Sequence, residues 1–425
     1  MPTQKSQKRI ASTPTAARIG VLDGVRSYAL LLVMSFHFWQ LSWLQYVGAG
    51  FFSAHGLPYL PLVQNLVIAG SLQVDTLIFL SGFLLALPYA QALCDRAGHR
   101  PASLPPVRQF YLKRAARLAP SVYAAMLICL LVDRPAITNG GDFAVDLFSH
   151  LSFMNLYFTQ GFSGTVFPGV LWTLTVEVTF YLVFPLLGRA FARWPLPAWL
   201  VMTAGGAAYT ALVALPRVAA GDTGYTNQTL SFLPVYANAL LAALIYEKVR
   251  RRTSAHPRRR TALATLAALG ALAGLACLLG VAYKADPTPL FQLRYRGLQS
   301  TLCAVLVVGL CFAARGLQAV YDNRFTKWFA LISLNAYIWH QTAGRWLLEA
   351  RIPPYPAAPA GAPTPWPQSG AGDWHAAWQW GYIAACWIAA LATGAAATFL
   401  IERPAARWIR KRFLKDTGQL PPARP

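Results

Sequence analysis

TALATLAALGALAGLACLLGVA, residues 261–282, places 22 residues in a row without a charged side chain. At about 1.5 Å of helical rise per residue, that run is long enough for the roughly 30 Å hydrocarbon core of a bilayer. RRRTSAHPRRR, residues 250–260, stands directly before it. Similar apolar runs lie outward from this one, at about 25–44, 66–90, 118–133, 170–188, 197–215, 229–247, 298–314, 328–348 and 376–400. The expected fold is all-α: a polytopic membrane bundle of about ten transmembrane helices. The segment 143–158 (FAVDLFSHLSFMNLYF) is apolar but short, and it contains Asp146 and His150. It is read as re-entrant or interfacial and is not counted as a crossing.

Composition agrees with this. The 425 residues are 56% hydrophobic and 12% charged, whereas an ordinary soluble domain carries about 25% charged residues. The net charge of +22 would suggest nucleic acid in a soluble protein. Here the bases sit in short loops between apolar runs, so no nucleic-acid partner is expected. With the N-terminus inside, 29 of the 37 Lys and Arg fall in inner loops and tails. Seven, including Arg294 and Arg296, fall in outer loops or outer helix ends, and Arg26 lies inside the first span. That asymmetry orients the chain with both termini cytosolic. Counting 143–158 as a crossing would put RRRTSAHPRRR outside.

Residues 1–24 are then a basic cytosolic tail rather than a signal peptide, since no small-residue cleavage site follows. Residues 25–400 form one membrane domain, and 401–425 a second basic tail. PPYPAAPAGAPTPWP makes the loop 349–375 an extended outer connection. The six cysteines show no CxxC pair and mostly sit in apolar runs, so neither metal nor disulfide is expected.

Ionisable groups at bilayer depth cost several kcal/mol unless paired or wetted, which makes each a functional candidate. Four stand out: His37, Asp75, Glu177 and His340. Each lies seven to nine residues from the outer end of its own span, roughly 10–14 Å deep. Four helices thus bring ionisable groups to one level, and a shared polar site explains this economically. Arg26 precedes His37 by eleven residues, which returns to nearly the same helix face about 16 Å nearer the inside. In FYLKRAARLAP, Lys113, Arg114 and Arg117 stand at the inner start of the third span, and guanidinium pairs at a helix end suit phosphate. Ser81 and Gly82, in LSGFLL, are small enough for a thin ligand arm to pass close to the backbone. The plainer alternatives are a hydrogen-bonded packing histidine, a snorkelling Arg26 and topology-setting bases. Trp172 and Tyr337 are read as packing residues, and Glu402 as paired with a nearby base.

Taken in order, six stretches resemble the acyltransferase-3 family of integral membrane O-acyltransferases, which act on cell-surface sugars and related acceptors. They are IGVLDGVRSYALLLVMSFH, GSLQVDTLIFLSGFLL, FYLKRAARLAP, LWTLTVEVTFYLVFP, SLNAYIWH and IERP. The resemblance implies a bacterial inner-membrane enzyme with no permanently bound cofactor. Its donor is cytosolic acyl-CoA, expected to be acetyl-CoA. Its acceptor is a hydroxyl of a carbohydrate or glycolipid at the outer face. Membrane lipid surrounds it, and a separate extracytoplasmic partner is a further expectation. In this scheme Arg114 and Arg117 hold the donor phosphates, with Arg26 and Lys113 completing the set, and the pantetheine arm threads past Ser81 and Gly82. His37 acts as base, because imidazole titrates near neutrality. Glu177 or Asp75 orients it, and His340 serves the oxyanion or the acceptor. An acyl-histidine relay is the competing chemistry. A proton-coupled transporter or flippase would use the same histidines and carboxylates, though no repeat symmetry is visible. A non-catalytic lipid-binding subunit is a third class.

Overall fold

A chain in hydrocarbon must satisfy every backbone N–H and C=O from within, and a helix does so inside a single segment. The computed structural model describes residues 19–42, 65–67, 69–98, 104–133, 140–162, 165–252, 256–285, 288–355 and 377–413, and among these all regular structure is helical. The long helices are α1 (Gly20–Leu41), α2 (Gln73–Ala97), α3 (Val107–Val132), α4 (Gly140–Leu151), α5 (Trp172–Arg193) and α6 (Pro195–Tyr209). They continue with α7 (Leu233–Arg251), α8 (Pro257–Ala285), α9 (Thr288–Phe312), α10 (Arg324–Glu349), α11 (Ala377–Ala397) and α12 (Arg403–Phe413). The N-terminal tail to residue 18, the tail beyond 413 and residues 356–376 of the Pro/Ala-rich loop lie outside the described residues.

Among the described residues, nine helices are long and apolar enough to cross a membrane. The chain is a multi-pass membrane protein. The remaining expected span, 328–348, falls on α10, which has 26 residues but is more polar than the other nine. Its polar side chains face protein rather than lipid. Asn335, His340 and Thr342 are buried where α10 packs between α1 and α11. A composition test charges such residues as if they faced hydrocarbon, which is why α10 fails it. On α11, Gly394 permits the closeness of that packing, since a Cβ there would lie 2.8 Å from the Ala336 backbone.

α7 forms the centre, with 72% of its span enclosed, against 17% for the span that begins with α6. It packs on α2, α9 and α6. Phe180 of α5 stacks on Tyr236 of α7 with ring centroids 3.4 Å apart. Leu186, Val201, Leu212, Ile388 and Leu400 are strongly exposed on the outside of the bundle. Exposed apolar surface of this kind suits contact with acyl chains.

The segment around 143–158 folds as α4 followed by a short turn at Asn155–Tyr157. Twelve residues of helix reach about 18 Å, too short to cross. Its polar residues close on themselves. His150 Nδ1 lies 2.9 Å from Asp146 Oδ1, and Asp146 Oδ2 accepts from Thr165 Oγ1 at 2.9 Å.

One assignment of the charge count needs correction. Arg294 and Arg296, read as outer-loop bases, stand inside α9, which starts ten residues earlier than the run at 298 suggests. Arg296 is 2% exposed. Its Nε donates to Asp75 Oδ2 at 2.9 Å, and Nη1 donates to the Thr226 carbonyl at 2.9 Å and Ser231 Oγ at 2.5 Å. The guanidinium lies 3.8 Å from the centroid of the Phe232 ring. Gln292 adds a bond to Asp75 Oδ1 at 3.4 Å. This satisfied buried pair ties α2 to α9 and to the turn preceding α7. Removing one partner of such a pair strands the other charge, at a cost of roughly 3–5 kcal/mol, whereas replacing both is far milder. Arg296→Met and Asp75→Leu should each lower the thermal midpoint of purified protein strongly, and the double variant less than either single change. Tryptophan fluorescence on heating reads this, and an unchanged midpoint in both single variants would contradict the network.

Candidate active site

Five helices wall a narrow cavity: α1, α2, α3, α5 and α10. α1 gives Arg26, α2 gives Ser81, α3 gives Arg117, α5 gives Thr173 and Glu177, and α10 gives Ser333 and Tyr337. Between these polar groups stand Leu30, Leu77, Ile78, Leu118 and Leu174. The cavity measures about 70 Å3. That is room for roughly five water-sized spheres, so a pantetheine-sized chain enters only if lining side chains swing aside. Tyr181 stands one turn beyond Glu177 and donates to its Oε2 at 2.6 Å. Ser81 Oγ lies 3.2 Å from the same phenol oxygen. Arg114 is stacked between Phe110 and Tyr181, 5.8 and 5.6 Å from the ring centroids.

Tyr337 links the cavity to a second cluster. His340, fully buried on the next turn of α10, has Nδ1 2.6 Å from the Tyr337 carbonyl. Its Nε2 lies 2.8 Å from Nδ1 of His37 on α1. With both rings neutral, these contacts set the tautomers. A carbonyl oxygen only accepts, so His340 carries its proton on Nδ1. His340 Nε2 is then bare and accepts, so His37 donates from Nδ1. The lone pair of the couple is left on His37 Nε2. A backbone carbonyl and a second imidazole thus stand in line behind His37, as an aspartate stands behind the histidine in many Ser–His–Asp sites.

The expected residues therefore separate into groups. His37 and His340 meet directly. Arg26, Ser81, Arg117 and Glu177 share the cavity. Arg114 flanks it through its contact with Tyr181, and Lys113 is exposed one turn before Arg117, on the same face of α3. Two residues stand elsewhere. Asp75 is committed to Arg296. Gly82 faces α7, because a step of 100° from Ser81 turns it away from the cavity. A Cβ on Gly82 would lie 2.9 Å from Tyr236 Cδ1 and 3.0 Å from the Ala239 methyl, so its smallness serves helix packing. Both ring nitrogens of His340 are engaged, which leaves it no free donor for an oxyanion. Sequence reasoning assigned nothing to Tyr181 and read Tyr337 as a packing residue. Tyr181 follows Glu177 at i+4, the one spacing that could have flagged it. Glu402 pairs with Asn335, whose Nδ2 donates at 2.7 Å and also reaches Thr398 Oγ1 at 3.0 Å.

Residues 19–392 match the family model described as an acyltransferase domain, acyltransferase-3. The chain belongs to the acyltransferase-3 family. Among characterised relatives it is similar to the peptidoglycan O-acetyltransferase OatA of Listeria monocytogenes, at 23% identity over 75% of this chain. The matched region spans 48% of that relative, so the chain covers about half of OatA's length. It is also similar to nodulation protein 10 of Rhizobium leguminosarum, at 37% identity over 20% of this chain and 27% of that protein. No solved structure matches the chain. The family match covers every wall of the cavity and both histidines.

The tautomer assignment is directly measurable. In protein labelled with 15N-histidine and held in the neutral state, His340 should show a protonated Nδ1 and a bare Nε2, and His37 the same. Substituting either histidine by Gln assigns the signals. A proton on Nε2 of His340 would contradict the relay.

Proposed function

We propose that the chain is a membrane O-acyltransferase that moves an acyl group, acetyl by preference, from acyl-CoA on the cytosolic side to a sugar hydroxyl on the outer side of a bacterial inner membrane. The observation that carries this is the His37–His340 pair bonded to the carbonyl of Tyr337, a residue that also lines the cavity walled by Arg26 and Arg117. The family match supports acyl transfer, and the similarity to a peptidoglycan O-acetyltransferase supports a sugar acceptor.

The chemistry follows from the proton positions. An acceptor hydroxyl loses its proton to His37 Nε2 as its oxygen attacks the thioester carbonyl carbon. The new C–O bond forms and the C–S bond breaks. The proton taken up by His37 passes to the departing sulfur, so the products are ester and free thiol. During attack, the positive charge on His37 is shared through Nδ1 with His340, whose own Nδ1–H is held by the Tyr337 carbonyl. His340 is thus a positioning residue. Glu177, with Tyr181 and Ser81 bonded in series, gives the passage a polar wall beside its leucines. Such a wall suits a pantetheine chain, which carries amides on an alkyl frame. Arg26 and Arg117 attract the donor's anionic end and stop it at the inner mouth.

The test is thiol release from acetyl-CoA by purified protein, with and without an oligosaccharide acceptor. His37→Ala should lower the rate by at least about 10²-fold, the usual share of a general base. His340→Ala should lower kcat while leaving the donor KM nearly in place, and the double variant should fall no further than His37→Ala. Direct transfer leaves no labelled acyl group on protein quenched without acceptor. Solute flux in vesicles without any thiol release would support transport and sink the enzyme claim.

A further inference from the structure

α12 reads RPAARWIRKRF. At 100° per residue, Arg403, Arg407, Arg410 and Lys411 fall within about 100° of arc on one face. Ala405, Ala406 and Ile409 fall on the other. The structure uses the two faces differently. The small apolar side is partly buried and the helix packs along α3, while the four bases are exposed. Trp408, on the flank, is also exposed, as suits an aromatic ring at headgroup level.

α3 is also the helix of Lys113, Arg114 and Arg117, so two basic surfaces adjoin. Glu402 marks the junction. It accepts from Asn335, and Arg117, Arg403 and Arg410 all lie close enough to act on its carboxylate. Arg117 is itself a wall of the cavity. The basic stripe of α12 therefore begins where the passage ends. A helix of topology-setting bases needs no such register with a cavity.

The donor's chemistry supplies the reason for it. A CoA thioester carries a diphosphate and a ribose phosphate at one end of a long neutral arm. A cavity of about 70 Å3 cannot admit that end, and burying its charges in hydrocarbon would be prohibitive. The phosphates must stay at the inner mouth while the arm goes in. Arg117 and Arg26 can meet only the nearest of them.

We infer that the exposed stripe Arg403, Arg407, Arg410 and Lys411, together with Lys113 and Arg117 across the mouth, binds the nucleotide phosphates of the acyl donor. This rests on the acyl-CoA reading above. Guanidinium groups at i, i+4 and i+7 offer paired N–H donors along one line, the geometry phosphate oxygens accept.

The experiment compares two donors, acetyl-CoA and acetyl-pantetheine, which lacks every phosphate. Free thiol is followed in nanodiscs of phosphatidylcholine, and again with phosphatidylglycerol added. In the R403Q/R407Q/R410Q variant, the ratio of kcat/KM for acetyl-CoA over acetyl-pantetheine should fall about tenfold or more, mostly through KM. The single R410Q variant should move the same way by less, which guards against a helix that has lost its seat. An unchanged ratio overturns the proposal and leaves the enzyme reading intact. A defect that appears only with phosphatidylglycerol overturns it in favour of lipid headgroups. No thiol release from the unsubstituted protein with either donor sinks the enzyme reading, and this proposal with it.

Discussion

The fold depends on one constraint: a polar group at bilayer depth must find its partner inside the bundle. Asp75 finds Arg296, Thr226 and Ser231 surround that guanidinium, and the network holds α2, α9 and the entry to α7 together. At the opposite end of α7, Glu247 accepts from Arg250 and Arg251, and Arg251 reaches Asp95 of α2 at 2.7 Å. The same two helices are thus pinned at both ends by charge and along their length by Gly82 against Tyr236. That rigid pair forms one wall behind the cavity. α1, α3, α5 and α10 form the others, with the histidine couple lodged between α1 and α10.

The constraint explains both what was legible in the sequence and what was not. Span positions and the family motifs follow from runs of apolar residues and from their order, which are properties of the line. Depth is estimated in the same way, by counting along each helix. That count placed His37, Asp75, Glu177 and His340 at a common level. Direction around the helix axis is settled by packing, and here the reading divided. His37 turned out to face His340, whereas Asp75 faces α9. The clue to Asp75 was hidden by an error of ten residues in the start of α9, which left Arg296 in a supposed loop. Gly82 misled for a related reason: small residues serve ligand passage and helix contact alike, and only the neighbour distinguishes them.

The backbone carbonyl of Tyr337 was invisible for a deeper reason. A carbonyl belongs to every residue, so no sequence pattern marks the one that fixes a tautomer. Yet this oxygen, through His340, sets which nitrogen of a neutral His37 carries the proton. A carboxylate in its place would bring a full charge into a region where charge is expensive. A neutral dipole orients the pair at far less cost, and it comes with the rigidity of a helix. The use of a second imidazole as intermediary fits that setting, because in the proposed reaction the couple carries charge only while a proton is in transit.

The same economy bears on leakage. A passage that joins two faces of a membrane threatens to conduct protons or ions. Here leucine and isoleucine side chains stand between the polar groups of a cavity of only about 70 Å3. Arg26 and Arg117 on its wall repel small cations, and Glu177 accepts a hydrogen bond from Tyr181. A neutral alkyl chain with amides can pass such a filter by displacing side chains, since each of its polar groups meets a hydroxyl or carboxylate on the wall. A hydrated ion has no comparable exchange. Under the proposed function, selectivity for a long neutral arm and resistance to leak are one property of the same five helices, with displacement of lining side chains as the gate.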